Sequence, residues 1–241
     1  MDPQQYRGFL NDPVLLLNRT ENANVRQIRL HSSMASASPS AVFRTVQHPG
    51  AVRLRYQSSA ARAVPVTLRY DDTGIPATSA VWVSRNPPAG EPFQRDRAYY
   101  LHWASDEAHA VELGSDAQLF FTAELTGCGI LIFRAPGTTI VVHHNIQVDP
   151  VPPTLFQRLF ESAAARNERA SMHSGEVKEN ALHNLAQHII AATPGITGGT
   201  QLSVRQYGDK ARVFGIKRGG QWRLFVNRPV GGSYRTELLH G

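Results

Sequence analysis

The spacing of apolar and polar residues changes twice along the chain. From residue 42 to residue 147, apolar positions alternate with polar ones or form short apolar runs, and both patterns are typical of β-strands. The strands that this part of the sequence predicts are 52–56, 64–70, 79–85, 97–104, 109–113, 117–123, 129–134 and 139–147. After Pro150 the spacing becomes helical, with one apolar face over 155–163 and a second over 177–189. Strand spacing returns over 201–207, 211–217 and 221–227.

This order of elements predicts an α+β fold, with a mostly antiparallel, sandwich-like β-sheet core and covering helices. Residues 1–41 are polar, and 31–41 are rich in serine and alanine, so we expect a flexible or weakly structured N-terminal segment. Residues 42–241 then form one α+β domain. A chain of 241 residues with 41% apolar and 18% charged residues has enough apolar side chains for the core of such a domain.

The segment 117–147 predicts a hairpin at the centre of this domain. Residues 129–133 and 140–142 are apolar on both faces, as in strands of a covered sheet, and a Pro136-Gly137 turn joins them. Centring the turn there places Ile130 opposite His143, and His143 on the same face of the sheet as Cys128. A slip of one residue brings His144 to that face instead.

Charge and hydropathy exclude several classes of function. No apolar run is long enough to cross a bilayer, so we expect no membrane span. The net charge is +6, but the arginines are spread thinly along predicted strands, which disfavours direct nucleic-acid binding. The N-terminus lacks the features of a secretory signal peptide. The chain is therefore expected in the cytoplasm of the cell that makes it, or to leave by a route that needs no such signal.

Cys128, the single cysteine, has three alternative roles: a buried packing residue, a metal ligand or a nucleophile. Free cysteines are often buried as small apolar residues, and that alternative stays open. A metal site needs several ligands at chelating spacing, and the adjacent His143 and His144 point to opposite faces of a strand. We therefore expect no metal and no cofactor.

The nucleophile interpretation depends on the neighbours of Cys128. Gly127 and Gly129 leave the main chain bare around the thiol, so that N–H groups of the turn can face an oxyanion. A histidine on the next strand can form an imidazolium–thiolate pair and lower the pKa of the cysteine. The sequence favours His143 as this base, with His144 as the alternative, and Asn145 is a candidate for orienting the ring.

The segment Leu125-Thr126-Gly127-Cys128, with His143 fifteen residues later, resembles the catalytic core of the cytotoxic necrotizing factor group. It is similar also to Burkholderia lethal factor and to the chemoreceptor deamidase CheD. In two of these branches a threonine six residues before the cysteine completes a triad, and Thr122 occupies that position here. The resemblance covers about 117–147 and implies a protein-glutamine deamidase with Cys128, His143 and Thr122 as catalytic residues. Thr126 stands where the necrotizing factors have serine.

The resemblance further implies a bacterial effector that acts in the cytosol of a host cell. Its partner would be a host protein with a reactive glutamine, such as a small GTPase or a translation factor. Three alternatives stay open. The same cysteine and histidine suit a cysteine peptidase or a transglutaminase. A β-rich binding module, with Trp82, Trp103 and Trp222 as anchors, would use neither residue.

Overall fold

The structure is a computed structural model. It describes residues 1–18, 27–30, 34, 41–48, 51–58, 63–71, 80–86, 93–103, 107–145, 162–196 and 198–241. Its helices are α1 (Pro3–Asn11), α2 (Pro13–Asn18), α3 (Ala163–Ala192) and α4 (Val204–Tyr207). Its strands are β1 (Gln27–Leu30), β2 (Ala41–His48), β3 (Ala51–Ser58), β4 (Val64–Asp71), β5 (Ala80–Ser84), β6 (Gln94–Leu101), β7 (Glu107–Leu113), β8 (Leu119–Thr122), β9 (Gly129–Ala135), β10 (Thr138–Asn145), β11 (Gly198–Leu202), β12 (Arg212–Arg218), β13 (Gln221–Val230) and β14 (Ser233–His240).

These strands form two sheets. The eight-stranded sheet has the order β1-β5-β4-β6-β8-β12-β13-β14, and the six-stranded sheet has the order β11-β9-β10-β7-β2-β3. Most neighbours are antiparallel; β1 with β5 and β6 with β8 are the parallel pairs among the described strands. The expected fold class, α+β with a mostly antiparallel core, is confirmed.

Among the described residues, three apolar clusters hold the layers together. The first lies between the sheets, where Ile130, Ile132 and Val141 of the six-stranded sheet meet Phe120 and Leu224 of the other. The second covers the outer face of the eight-stranded sheet with residues of α1 and α2. The third packs α3 on the outer face of the six-stranded sheet. The sheets thus have apolar groups on both faces, which explains why strands such as β9 read as continuous apolar runs.

The β9–β10 hairpin has the register that its turn residues predict. Ile130 is paired with His143, and Gly129 with His144. Gly137 in the turn has a φ of +77°, which glycine adopts without steric cost. The prediction that Ile130 lies opposite His143 is therefore confirmed.

The N-terminal residues differ from the expectation of a flexible or weakly structured segment. Within 1–41 the structure describes two helices, and the side chains of Phe9 and Leu17 are fully buried against the eight-stranded sheet. Asp2 caps α1: its carboxylate accepts from the N–H groups of Gln4 and Gln5, and the Gln5 side chain accepts from the Asp2 N–H. The sequence pattern misses these helices because they are only nine and six residues long, too short to show a helical period.

One further segment differs from its prediction. The predicted strand 201–207 divides, because β11 ends at Leu202 and the following residues form α4, whose capping box joins Ser203 and Gln206. The predicted helical face over 155–163 lies almost wholly outside the described residues. Over the part of the chain that the structure covers, no helix combines the length and apolar character needed to cross a bilayer.

Candidate functional site

The turn before β9 carries Cys128. On its N-terminal side, Leu125 forms an isolated antiparallel bridge with Ala211, with N–H to carbonyl distances of 2.8 and 3.1 Å. Gly127 then has a φ of +93°, a conformation that favours glycine, and β9 begins at Gly129. Cys128 is thus the last residue before a buried strand, at one end of the sandwich.

Two side chains from other elements hold this turn by its peptide groups. The hydroxyl of Tyr207 accepts a hydrogen bond from the Gly127 N–H at 3.0 Å and donates one to the Cys128 carbonyl at 2.8 Å. The ammonium group of Lys178 donates to the Gly127 carbonyl at 3.0 Å. Helices α3 and α4, far apart in sequence from the turn, therefore fix the peptide groups on both sides of Gly127.

These contacts change the expected roles of the two glycines. The N–H of Gly127 is engaged by Tyr207, so it is not a free oxyanion donor in this arrangement. A Cβ at position 129 would lie 2.7 and 2.9 Å from the methyl carbons of Leu182. Gly129 therefore admits close packing of α3, whereas the sequence suggested that it leaves the main chain bare for a ligand.

Cys128 and His144 line a common small pocket with a cavity volume of about 10 Å³. The opposite wall consists of Lys178, Glu179 and Leu182 from α3, with Ser203 and Val204 from the β11–α4 connection. Ser203 donates to the Glu179 carboxylate at 3.1 Å, and Arg205 forms an ion pair with Glu179 at 3.0 Å. The residues that line the pocket thus include a cysteine, a histidine, a lysine and a glutamate.

Cys128 is 6% exposed and belongs to the cluster between the sheets. Burial raises the pKa of its thiol; a hydrogen bond from the Thr126 backbone and the charge of Lys178 oppose this effect without overcoming it. This direction is opposite to the lowered cysteine pKa that the sequence predicts. At neutral pH the side chain is a thiol, and a thiolate has to be generated by a base.

His144 lies next to Gly129 on β10 and is 3% exposed. Burial first, and then the charge of Lys178, lower the pKa of this histidine to about 4. Its ring is therefore neutral at pH 7, and a neutral imidazole has a nitrogen that can accept a proton.

His143 faces the other side of the six-stranded sheet, where it pairs with Ile130 and His109. The residue is fully buried, and neither ring nitrogen has a hydrogen-bond partner among the described residues. Burial, together with His109, His144 and His102, lowers its pKa to about 3. Its parity in the register puts it on the face of Ile130, as predicted, and Cys128 belongs to the same cluster between the sheets as Ile130. The pocket that Cys128 lines is nevertheless shared with His144 and not with His143.

Thr122 ends β8 in the eight-stranded sheet and is fully buried. Its hydroxyl oxygen accepts a hydrogen bond from the Val213 N–H at 3.1 Å. This bond gives Thr122 a structural task where β8 meets β12, and its role as a third catalytic residue stays a prediction. Asn145 ends β10 opposite Glu107.

The remaining candidates are a metal site and the tryptophan side chains. Across the ranges that the structure covers, no group of three or more His, Cys, Asp or Glu side chains is arranged to hold a metal ion. Trp222 is buried, and its indole N–H donates to the Leu113 carbonyl at 3.1 Å, which is a core role. Trp103 is 42% exposed and stacks near His102.

Sequence reasoning missed Lys178, Glu179 and Tyr207. Lys178 lies one helical turn before Leu182, so it reaches the site because Leu182 packs on Gly129, a contact that no local pattern reveals. Tyr207 stood in a predicted strand, and its inward direction follows from the short helix α4. Both residues depend on long-range packing.

Comparisons with known proteins give a likeness among solved structures. No protein-family model and no curated protein matches the sequence. Among solved structures, the chain is similar to the C-terminal domain of CNFy from Yersinia pseudotuberculosis, with a TM-score of 0.40 and 9% sequence identity. The match covers 99% of this chain and 97% of that chain. This is a weak likeness at the level of the fold.

Proposed function

We propose that this protein is a protein-glutamine deamidase with Cys128 as its nucleophile and His144 as its general base. The observation that carries the proposal is the common pocket of Cys128 and His144, with the Lys178 ammonium beside both. The motif Leu125-Thr126-Gly127-Cys128, whose spacing resembles that of the necrotizing factor group, supports the choice of substrate group.

The reaction starts from a neutral thiol and a neutral imidazole. His144 removes the thiol proton while the sulfur attacks the side-chain carboxamide carbon of a glutamine. The resulting oxyanion accepts hydrogen bonds from a main-chain N–H of the turn. The histidine then gives its proton to the departing nitrogen, ammonia leaves, and a thioester remains.

The second half of the reaction uses the same groups. A water molecule loses a proton to His144 and attacks the thioester, and the sulfur leaves and recovers a proton from the imidazolium. The product is glutamate, so glutamine and water become glutamate and ammonia. Lys178 favours the transient thiolate because an ammonium lowers the free energy of a nearby anion. The same charge disfavours the imidazolium, which helps the histidine to return its proton.

His143 is the alternative base that the motif spacing favours. We assign the task to His144 because it lines the pocket, whereas a fully buried ring with two unpartnered nitrogens has no route for exchanging a proton with substrate or water. We further propose a bacterial effector that reaches a host cell without a classical signal peptide and modifies a host protein such as a small GTPase or a translation factor.

The test is incubation of the purified protein with a host-cell lysate, followed by mass spectrometric mapping of glutamine-to-glutamate changes. The Cys128→Ser variant is the negative control. We expect the converted sites to be absent with this variant. Identical conversion by both proteins would overturn the proposal, and glutamine–amine cross-links in place of glutamate would point to transglutamination.

A pair of matched variants then separates the two histidines. His144→Phe should lower kcat for the identified substrate by about 10²–10⁴-fold, the usual contribution of a general base. His143→Phe fills the same core space with an apolar ring and should leave kcat within about threefold of the wild type. The reverse order of effects would make His143 the base.

A further inference from the structure

The Tyr207 hydroxyl contacts the main chain on both sides of the nucleophile. It accepts the Gly127 N–H and donates to the Cys128 carbonyl, at 3.0 and 2.8 Å. One hydroxyl can make both bonds because it carries one donor and two acceptor lone pairs. Tyr207 is 2% exposed, so neither bond competes with bulk water.

The hydrogen bonds of the turn determine which of its N–H groups are engaged and which is free. Thr126 directs its backbone hydrogen bond to the sulfur of Cys128, and Gly127 directs its N–H to Tyr207. Among the hydrogen bonds of the described residues, none uses the N–H of Cys128, which lies outside the β9 ladder that begins at Gly129. The Cys128 N–H is therefore the donor that remains for a substrate oxygen beside the sulfur.

The position of Tyr207 is itself well determined. The residue ends α4, whose capping box joins Ser203 and Gln206, and its N–H donates to the Ser203 carbonyl. Ser203 is in turn anchored on α3 through Glu179 at 3.1 Å. The hydroxyl is thus presented from a braced helical turn and not from a free loop.

We propose that Tyr207 is a positioning residue, which fixes the peptide groups around Gly127 so that the Cys128 sulfur stays near the Thr126 N–H and the Cys128 N–H stays free for the oxyanion. The role in catalysis rests on the proposed deamidase function, whereas the geometric part does not. Tyr207 touches no substrate and exchanges no proton. Its hydroxyl also stays protonated, because burial raises the pKa of Tyr207 to about 12.

The first experiment measures Cys128 itself and needs no substrate. Because the chain has one cysteine, iodoacetamide labelling followed by intact mass reports on Cys128 alone. Labelling rates are measured from pH 6 to pH 10.5 for the wild type, Tyr207→Phe and the control Tyr234→Phe, whose ring is half-buried on β14. We expect Tyr207→Phe to label at least about threefold more slowly near pH 7.5 and to approach the wild-type rate at the highest pH, since the thiolate loses its fixed partners.

A profile of Tyr207→Phe that superimposes on that of the wild type overturns the proposal, whether or not deamidation has been detected. A change of similar size in Tyr234→Phe also overturns it, because the effect would not be specific to the turn. Thermal unfolding of each variant accompanies the labelling, so a loss of folded protein is recognised as such.

Hydrogen exchange of the wild type gives a second measurement that needs no variant. The Gly127 N–H, bonded to a buried hydroxyl, should exchange at least about tenfold more slowly than the Cys128 N–H. Equal exchange of the two amides, or slower exchange at Cys128, contradicts the assignment of donors.

Where turnover is found, the kinetic constants complete the test. Displacing a reacting group by a fraction of an ångström to an ångström costs about 10–10² in rate, so kcat of Tyr207→Phe should fall by about that factor. KM should stay within about twofold, because the hydroxyl does not contact substrate. A raised KM with unchanged kcat would refute the positioning role of Tyr207 and leave the deamidase proposal standing. Absence of turnover in the wild type would refute the deamidase proposal alone.

Discussion

His143 and His144 are consecutive residues in different environments, because successive side chains of a strand point to opposite faces of the sheet. His143 packs between the sheets beside His109, and His144 faces the pocket below α3. Burial lowers the pKa of His143 to about 3 and that of His144 to about 4, so both rings are neutral at physiological pH. One neutral ring has access to the thiol's pocket, and the other is a core side chain with polar atoms.

This arrangement predicts sensitivity to acid. An unfolded histidine has a pKa of about 6.5, so the unfolded chain takes up protons at a higher pH than His143 or His144 does in the folded protein. The free energy of unfolding is therefore highest above pH 6.5, where both histidines are neutral in either state. It decreases as the pH falls towards 4 and then 3. We expect the melting temperature to fall steadily over this range.

The variant His143→Phe should make this loss smaller, by on the order of 3 kcal/mol in the free energy of unfolding between pH 6.5 and pH 4. At pH 7.5 it should be as stable as the wild type or more stable, because it removes two unpartnered buried nitrogens. Urea unfolding at several pH values measures both effects. The exposed His183 gives the control His183→Phe, whose pH dependence should match that of the wild type; an equal change in both variants would disprove the assignment.

At the scale of elements, local pattern and long-range packing contribute differently. The strands around the site and the register of the β9–β10 hairpin follow from alternation and from the Pro136-Gly137 turn, since both act within a few residues. The Cys128 turn could be recognised in the same way. The residues opposite it could not, because Lys178 and Tyr207 arrive from α3 and from α4, whose docking depends on distant contacts.

The same limit explains the histidine assignment. The register places His143 on the face of Ile130, and this was predicted. Which face holds the pocket depends on α3, which packs on the opposite side and leaves a gap next to His144. No spacing within 117–147 contains that information.

Gly129 is the point at which α3 meets β9, and it gives a test at this scale. In Gly129→Ala the new methyl group would lie within 3 Å of two methyl carbons of Leu182, so the helix must shift or Leu182 must change rotamer. We expect a loss of about 1–3 kcal/mol in the free energy of unfolding. Chemical denaturation measures this loss.

The control for this variant is Gly198→Ala on the neighbouring strand β11, where a Cβ would meet nothing within 4 Å. It should change stability by no more than about 0.5 kcal/mol. The double variant Gly129→Ala/Leu182→Ala should lose less stability than the sum of its two single variants, because removing the Leu182 methyl groups makes room for the alanine. A double variant as unstable as the sum of its single variants would show that Gly129 does not meet Leu182.

At the scale of the whole molecule, the candidate site and the packing of the N-terminal helices lie in different layers of the fold. The site lies where the six-stranded sheet meets α3 and α4, and the N-terminal helices cover the far side of the eight-stranded sheet. The cluster between the sheets separates these two regions, and Cys128 belongs to that cluster while Phe9 does not. A change under α1 should therefore affect unfolding without altering the environment of the thiol.

Phe9→Ala tests this division and the finding that the first helix belongs to the folded protein. Phe9 is fully buried and stacks on Phe214 with ring centroids 5.8 Å apart, so we expect a loss of about 3–5 kcal/mol in the free energy of unfolding. Leu15→Ala, at a 60% exposed position on α2, should cost no more than about 0.5 kcal/mol. Below the melting transition, both variants should label at Cys128 with the wild-type pH profile. If Phe9→Ala were as stable as Leu15→Ala, the N-terminal helices would not be packed as described; if it shifted the labelling profile while folded, the two sides of the sandwich would be coupled through the central cluster.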